Sequence, residues 1–167
     1  GVFWVDLAPL PDRASLTQAV VGALGLRPDP SQDALEATIV SLRDRDCLLV
    51  FDNCEQLLEP CARLAERILV ACPPVRLLAT SREALGLYGE RVWPVPPLAV
   101  RTSPSAESPE AGDACSDAVQ LFVERARLRD PSFDPSAADA AIIAEICRRL
   151  EGIPLSIELV AARTGVL

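Results

Sequence analysis

Two polar side chains that follow short aliphatic runs are the strongest candidates for chemistry in this sequence. Asp52 ends the run 48–51 (Leu-Leu-Val-Phe), and Arg82 lies shortly after the run 77–79 (Leu-Leu-Ala). Open α/β sheets bind ligands at the carboxyl ends of their parallel strands. A carboxylate there can hold Mg²⁺ beside nucleotide phosphates, and an arginine there can pair with a phosphate through its planar guanidinium. Each pattern alone also fits a plainer interpretation, in which Asp52 caps the next turn and Arg82 is a solvated surface residue.

A third pattern is the run Glu151-Gly152-Ile153-Pro154-Leu155. Glycine commonly ends a helix, and proline is well tolerated in the first turn of the next one. By itself the run therefore predicts only the end of one helix and the beginning of another.

The residue types that are absent exclude several kinds of chemistry from this segment. The sequence has no histidine, and all 16 basic residues are arginine. This excludes Ser–His or Cys–His catalytic pairs, histidine-ligated metals, Schiff-base lysines and the lysine of a phosphate-binding loop. The net charge of −8 argues against direct nucleic-acid binding by this segment.

The cysteines are predicted to be small buried hydrophobic residues in a reducing compartment. Their spacing suits neither a zinc site nor a disulfide framework. A thiol-based redox sensor is the alternative. The six are Cys47, Cys54, Cys61, Cys72, Cys115 and Cys147.

The elements that would position these groups alternate between strands and helices, which indicates an α/β domain with a parallel sheet. We expect strands at 2–7, 47–51 and 76–80, with a further candidate at 91–95. Helices are predicted after Pro11, after a Ser31 cap, and from Pro60 at a first helical position. After a Pro- and Ser-rich stretch only helices are expected, beginning at a Ser116 cap, at a Ser136/Asp139 capping box and at Pro154.

This organisation predicts an α/β unit at 1–97, a linker at 98–114 and a helical unit at 115–167. No apolar run approaches the roughly 20 residues that cross a bilayer, and no signal peptide is visible. We therefore expect a soluble, cytoplasmic protein without a membrane partner. Because methionine is absent even at position 1, the chain is expected to be an internal piece of a longer polypeptide.

Taken together and in this order, the three patterns resemble the STAND class of signal-transduction P-loop ATPases. This is the NB-ARC-like module of large LuxR-type and SARP-type bacterial transcription regulators. The resemblance covers nearly the whole chain. The phrases that carry it are Val5-Asp6-Leu7-Ala8-Pro9-Leu10, Phe51-Asp52-Asn53-Cys54-Glu55, Ala79-Thr80-Ser81-Arg82-Glu83, Val95-Pro96-Pro97-Leu98, Leu121-Phe122-Val123-Glu124-Arg125-Ala126 and Gly152-Ile153-Pro154-Leu155-Ser156-Ile157-Glu158-Leu159.

The resemblance implies an ATP- or ADP-binding switch with Mg²⁺. It implies that Asp52 is the Walker B carboxylate on the metal side and that Arg82 is the sensor arginine that reads the phosphates. It also implies that Thr80 and Ser81 line the nucleotide site. Gly152 and Pro154 would form the G-x-P motif, which packs near the adenine and ties the helical unit to the nucleotide.

Two departures from the family pattern matter. Asn53 stands where many P-loop ATPases have an acidic residue that orients the attacking water, and Glu55 either replaces that residue or caps the next helix. The glycine-rich phosphate loop is absent. In the family that loop, its strand and its helix precede a segment like 2–7, and the strand lies centrally between 76–80 and 91–95.

The missing strand predicts that this segment alone is marginally stable and binds ATP poorly. The expected partners are the upstream Walker A segment and further C-terminal domains of the same polypeptide, with oligomerisation as an additional possibility. The alternative is a non-catalytic interaction scaffold derived from the same fold.

Overall fold

The computed structural model describes residues 1–10, 12–27, 33–100 and 116–164. It contains a unit Gly1–Trp93 and a unit Pro94–Leu167. The elements, in chain order, are β1 (Val2–Asp6), α1 (Arg13–Ala23), α2 (Ala34–Leu42), β2 (Cys47–Asp52), α3 (Leu58–Ala71), β3 (Val75–Ala79), α4 (Asp117–Arg129), α5 (Ala137–Arg149) and α6 (Pro154–Ala161), with a 3₁₀ turn, Cys54–Gln56, after β2. This confirms the predicted fold class, a partial parallel α/β sheet followed by a helical unit.

The first unit is built on a three-stranded parallel sheet with β2 in the centre. The strands are in register, so that Val5 pairs with Phe51 and Phe51 pairs with Ala79. Because neighbouring strands run in the same direction, all three carboxyl ends lie at one edge of the sheet. The three strand-end segments after Asp6, Asp52 and Ala79 therefore meet there.

One face of this sheet is covered and the other carries exposed apolar side chains. On the covered face Val5, Leu49 and Phe51 are buried in a cluster with side chains of α1, α2 and α3. On the other face Val2, Trp4 and Leu78 are 69%, 59% and 53% exposed. Parallel sheets are normally covered on both faces, so this face is unusual for its strand type.

The candidate strand at 91–95 is a wrong prediction. No residue from 80 to 100 belongs to a strand, and Val92, Trp93 and Val95 are exposed. A β-strand exists only when a neighbouring strand accepts and donates its backbone hydrogen bonds. In the described residues β3 pairs with β2 alone, and nothing pairs with 91–95.

Two helix beginnings also differ from the prediction. Asp33 caps α2, and its Oδ1 accepts the N–H of Leu35 at 2.8 Å; the predicted cap, Ser31, lies outside the described residues. Helix α3 begins at Leu58, which places Pro60 in its first turn rather than at its first position. Both positions are compatible with proline because first-turn N–H groups have no partner within the helix.

The second unit packs α4, α5 and α6 around Phe122, Ile143 and Ile157. The predicted caps are confirmed: Ser116 Oγ accepts the N–H of Val119 at 3.4 Å, and Ser136 and Asp139 form a capping box. Pro154 begins α6 as predicted. Leu98 and Val100 pack against the same cluster, while 101–115, which held most of the predicted linker, lies outside the described residues.

The predicted burial of the cysteines is confirmed for the five that the structure describes, Cys47, Cys54, Cys61, Cys72 and Cys147. Cys115 lies outside the described residues. Of the described helices, none combines the length and apolar character needed to span a membrane.

Candidate functional site

The carboxyl ends of β2 and β3 are joined through the hydroxyl of Thr80. Thr80 Oγ1 donates to Asp52 Oδ1 at 2.5 Å and accepts the N–H of Asn53 at 3.0 Å. The Thr80 N–H donates to the Phe51 carbonyl, and the Cys54 N–H donates to the Thr80 carbonyl, both at 2.9 Å. The Asp52 carboxylate is therefore oriented by the neighbouring strand. Thr80, predicted to line a nucleotide site, has its hydroxyl proton engaged by Asp52.

Asn53 adopts a left-handed conformation, with φ of 63° and ψ of 51°. Asparagine is several-fold enriched in this region compared with most residues that carry a Cβ. The turn after β2 therefore gives a conformational reason for a residue such as asparagine at position 53.

Glu55 and Arg82 form an ion pair at this edge of the sheet. The Arg82 Nε lies 3.7 Å from Glu55 Oε1, and their side chains are 87% and 27% exposed. Helix α3 has no side-chain hydrogen bond at its N-terminal cap, so Glu55 does not cap it. Asp52, Glu55 and Arg82 thus lie at neighbouring strand ends, with one carboxylate held by Thr80 and the other facing the guanidinium.

Ser81 makes a local contact in the same segment. Its Oγ accepts the N–H of Glu83 at 3.3 Å, and its side chain is exposed. This bond shapes the turn that carries Arg82.

Gly152 and Pro154 belong to the second unit and are described within it. Gly152 has a φ of +69°, and a Cβ added there would lie 2.2 Å from the Leu98 carbonyl oxygen. The Leu98 N–H donates to the Gly152 carbonyl at 2.9 Å. The structure therefore supplies a packing reason for glycine here, and the predicted nucleotide role of Gly152 and Pro154 stays a prediction.

Sequence reasoning missed a second carboxylate at the edge of the sheet. Asp6 is the register partner of Asp52, and its Oδ1 accepts the N–H of Ala8 at 3.0 Å. The signal was present, because Asp6 ends the apolar run of β1 in the same way that Asp52 ends that of β2. Register made the two carboxylates neighbours.

The buried thiols of Cys54 and Cys61 form a hydrogen-bonded pair next to the carboxyl end of β2. The hydrogen bond with Cys61 and burial raise the pKa of the Cys54 thiol well above its ordinary value. Its Sγ lies 3.6 Å from the Phe51 carbonyl oxygen. A buried thiol that stays protonated is a poor nucleophile, which disfavours redox chemistry at Cys54.

An open groove of about 430 Å³ lies between α2 and α3. Its lining residues are Glu36, Ile39, Arg43, Glu66, Arg67, Val70 and Ala71, none of which is a predicted site residue. Glu36 and Arg67 pair with each other at 3.0 Å. The groove is lined by α2, the residue that ends it and α3, and not by the carboxyl ends of the strands, where open α/β sheets bind ligands.

The chain is similar to proteins of Mycobacterium. An uncharacterized protein of Mycobacterium tuberculosis is 41% identical over 162 residues, which cover 97% of this chain and 38% of that protein. Another Mycobacterium tuberculosis protein is named "Putative HTH-type transcriptional regulator" and is 39% identical over 163 residues, or 98% of this chain and 17% of that protein. Mycobacterium bovis has proteins of the same two names with the same identities.

The chain therefore spans 38% of the length of the first relatives and 17% of the second. No protein-family model matches it, and no solved structure matches it significantly.

Proposed function

We propose that this chain is part of a Mg²⁺-dependent ATP/ADP switch in a transcription-regulating ATPase. The observation that carries the proposal is the meeting of Asp52, Glu55 and Arg82 at the carboxyl edge of a parallel sheet. Ligands of open α/β sheets bind at this edge. Asp52 would hold the metal through water, Arg82 would contact a phosphate, and Glu55 would orient the attacking water.

The transcriptional part of the proposal rests on the relatives. One relative of 39% identity is named as a transcriptional regulator of the HTH type. A DNA-binding helix-turn-helix would belong to another part of the polypeptide, since this chain carries a net charge of −8. The nucleotide state of the switch would act on that output through the position of the helical unit.

The exposed apolar face of the sheet favours the proposal that a further strand and helix of the same polypeptide pack there. That strand and helix would flank the Walker A loop. Such a segment would pair with the outer edge of β3 and cover Val2, Trp4 and Leu78. Burying a large aliphatic side chain stabilises a protein by roughly 1.5–3 kcal/mol. Covering this face would therefore contribute a substantial fraction of a domain stability of about 5–15 kcal/mol.

The test compares variants of the full-length protein in Mg²⁺-ATP binding and turnover. Asp52→Asn should lower affinity or turnover by about tenfold or more, because it removes the metal-side charge. Asp46→Asn is the matched control, since Asp46 precedes the amino end of the same strand and pairs with Arg76 at 2.7 Å. Equal turnover and affinity in Asp52→Asn and the unsubstituted protein would remove Asp52 from the mechanism.

The competing function is a scaffold without nucleotide. Asn53, in place of the usual acidic residue, favours it. If the full-length protein binds no ATP or ADP at millimolar concentration, with Mg²⁺ or with a chelator, the scaffold is the better description.

A further inference from the structure

Glu90 organises the loop that follows β3. Its Oε1 accepts the N–H of Leu85 at 2.9 Å, and its Oε2 accepts the N–H of Gly86 at 2.7 Å and that of Leu87 at 3.2 Å. Three consecutive backbone amides thus converge on one carboxylate. This is a backbone nest, an arrangement that binds anions because its N–H dipoles point at one centre.

The residues of this loop suit such a turn. Gly86 and Gly89 have φ values of +77° and +82°, conformations that glycine adopts without steric cost. Leu85 and Leu87 are partly buried against the core of the first unit. The Glu90 N–H donates to the Leu87 carbonyl at 3.1 Å, which closes the turn onto itself.

Arg82 lies between this nest and a second anchor. On its amino side, the backbone of Thr80 is held by Phe51 and Cys54, at 2.9 Å in each case. On its carboxyl side, the nest begins at Leu85. The free span between the anchors is therefore short, which restricts the conformations of Arg82.

We infer that Glu90 is a positioning residue for Arg82. Its carboxylate fixes the turn at 85–87 and so holds the Arg82 guanidinium beside Glu55, at the edge of the sheet where the phosphates would bind. Without the carboxylate, the amides of the nest donate to water, and the turn at 85–87 is no longer fixed. The flexible span that carries Arg82 then becomes longer. This inference rests on the proposed function, because it gives Arg82 a phosphate to contact.

The test is a double-mutant cycle in the full-length protein, with Mg²⁺-ATP affinity as the readout. Glu90→Ala should weaken affinity by about tenfold when Arg82 is present and should have little effect in an Arg82→Ala background, since residues that act as one unit are not additive. Glu83→Ala is the matched control, because Glu83 places an exposed carboxylate in the same loop. Glu90→Gln keeps one acceptor oxygen and should show a smaller loss.

Hydrogen exchange adds a local measurement. The amides of Leu85, Gly86 and Leu87 should exchange faster in Glu90→Ala than in Glu83→Ala. If the affinity losses of Glu90→Ala and Arg82→Ala multiply, or if only Arg82→Ala causes a loss, the positioning role of Glu90 is refuted while the proposed function stands. If Arg82→Ala itself leaves affinity unchanged, the phosphate role of Arg82 fails, and the inference for Glu90 fails with it.

Discussion

Replacing Gly152 by alanine should destabilise the helical unit by about 3 kcal/mol, and the structure shows where the energy is lost. The left-handed φ of +69° costs an alanine about 1–2 kcal/mol. The added Cβ would lie 2.2 Å from the Leu98 carbonyl oxygen and 3.3 Å from the Leu98 nitrogen. A backbone atom cannot rotate out of the way as a side chain can, so the segment that contains Leu98 has to move.

That movement adds two losses. The hydrogen bond from the Leu98 N–H to the Gly152 carbonyl, 2.9 Å long, contributes about 0.5–1.5 kcal/mol. Leu98 and Val100 also pack against the core of the helical unit and would be partly withdrawn from it. The backbone strain and the lost hydrogen bond together cost about 1.5–3.5 kcal/mol, and lost packing adds to this.

The assay is urea unfolding followed by far-ultraviolet circular dichroism. Gly25→Ala is the control, because Gly25 has nearly the same φ, +68°, and its added Cβ would meet no atom within 4 Å. Gly25→Ala should therefore show the cost of a left-handed backbone at alanine without a steric clash of the added Cβ. Tryptophan fluorescence separates the units, since Trp4 and Trp93 both lie in the first one. Equal losses of stability in the two variants would refute the close approach of Leu98 to Gly152.

Two further predictions concern hydroxyl groups that position carboxylates. Thr80→Val should lower the free energy of unfolding by about 1–3 kcal/mol, because it leaves Asp52 and the Asn53 N–H without their shared partner. Thr80→Ser should keep most of that stability in the same thermal melt, and equal melting of both variants would contradict the role of the hydroxyl. In the capping box, hydrogen bonds from the Ser136 hydroxyl and N–H lower the pKa of Asp139. A lowered pKa in the folded state means that the stabilisation is present above the ordinary aspartate pKa of about 4 and is lost as the pH falls through the folded value. Asp139→Asn should therefore flatten part of the acid transition in circular dichroism, and superimposable acid transitions would show that the ionised cap adds nothing.

The local features of this fold were predictable because they depend on hydrogen bonds within a few residues. Ser116, the Ser136/Asp139 box and Pro154 mark helix beginnings from sequence alone, since each satisfies or avoids an N–H group of its own helix. The apolar runs that form β2 and β3 also predicted these two strands. The strand predicted at 91–95 was wrong because a strand requires a partner, and β-propensity carries no information about the partner.

The candidate site also has features that the sequence predicted and features that only the structure shows. The sequence by itself placed Asp52, Arg82 and Glu55 near the ends of strands, because each follows an apolar run of strand length. Only the tertiary structure decided which groups meet. The Thr80–Asp52 bond joins residues 28 positions apart, the Asp6–Asp52 neighbourhood depends on strand register, and glycine at 152 is required by the carbonyl of a residue more than fifty positions away. Such contacts depend on how strands, helices and loops pack in space. A pattern of residue types along the chain does not show which distant residues come into contact.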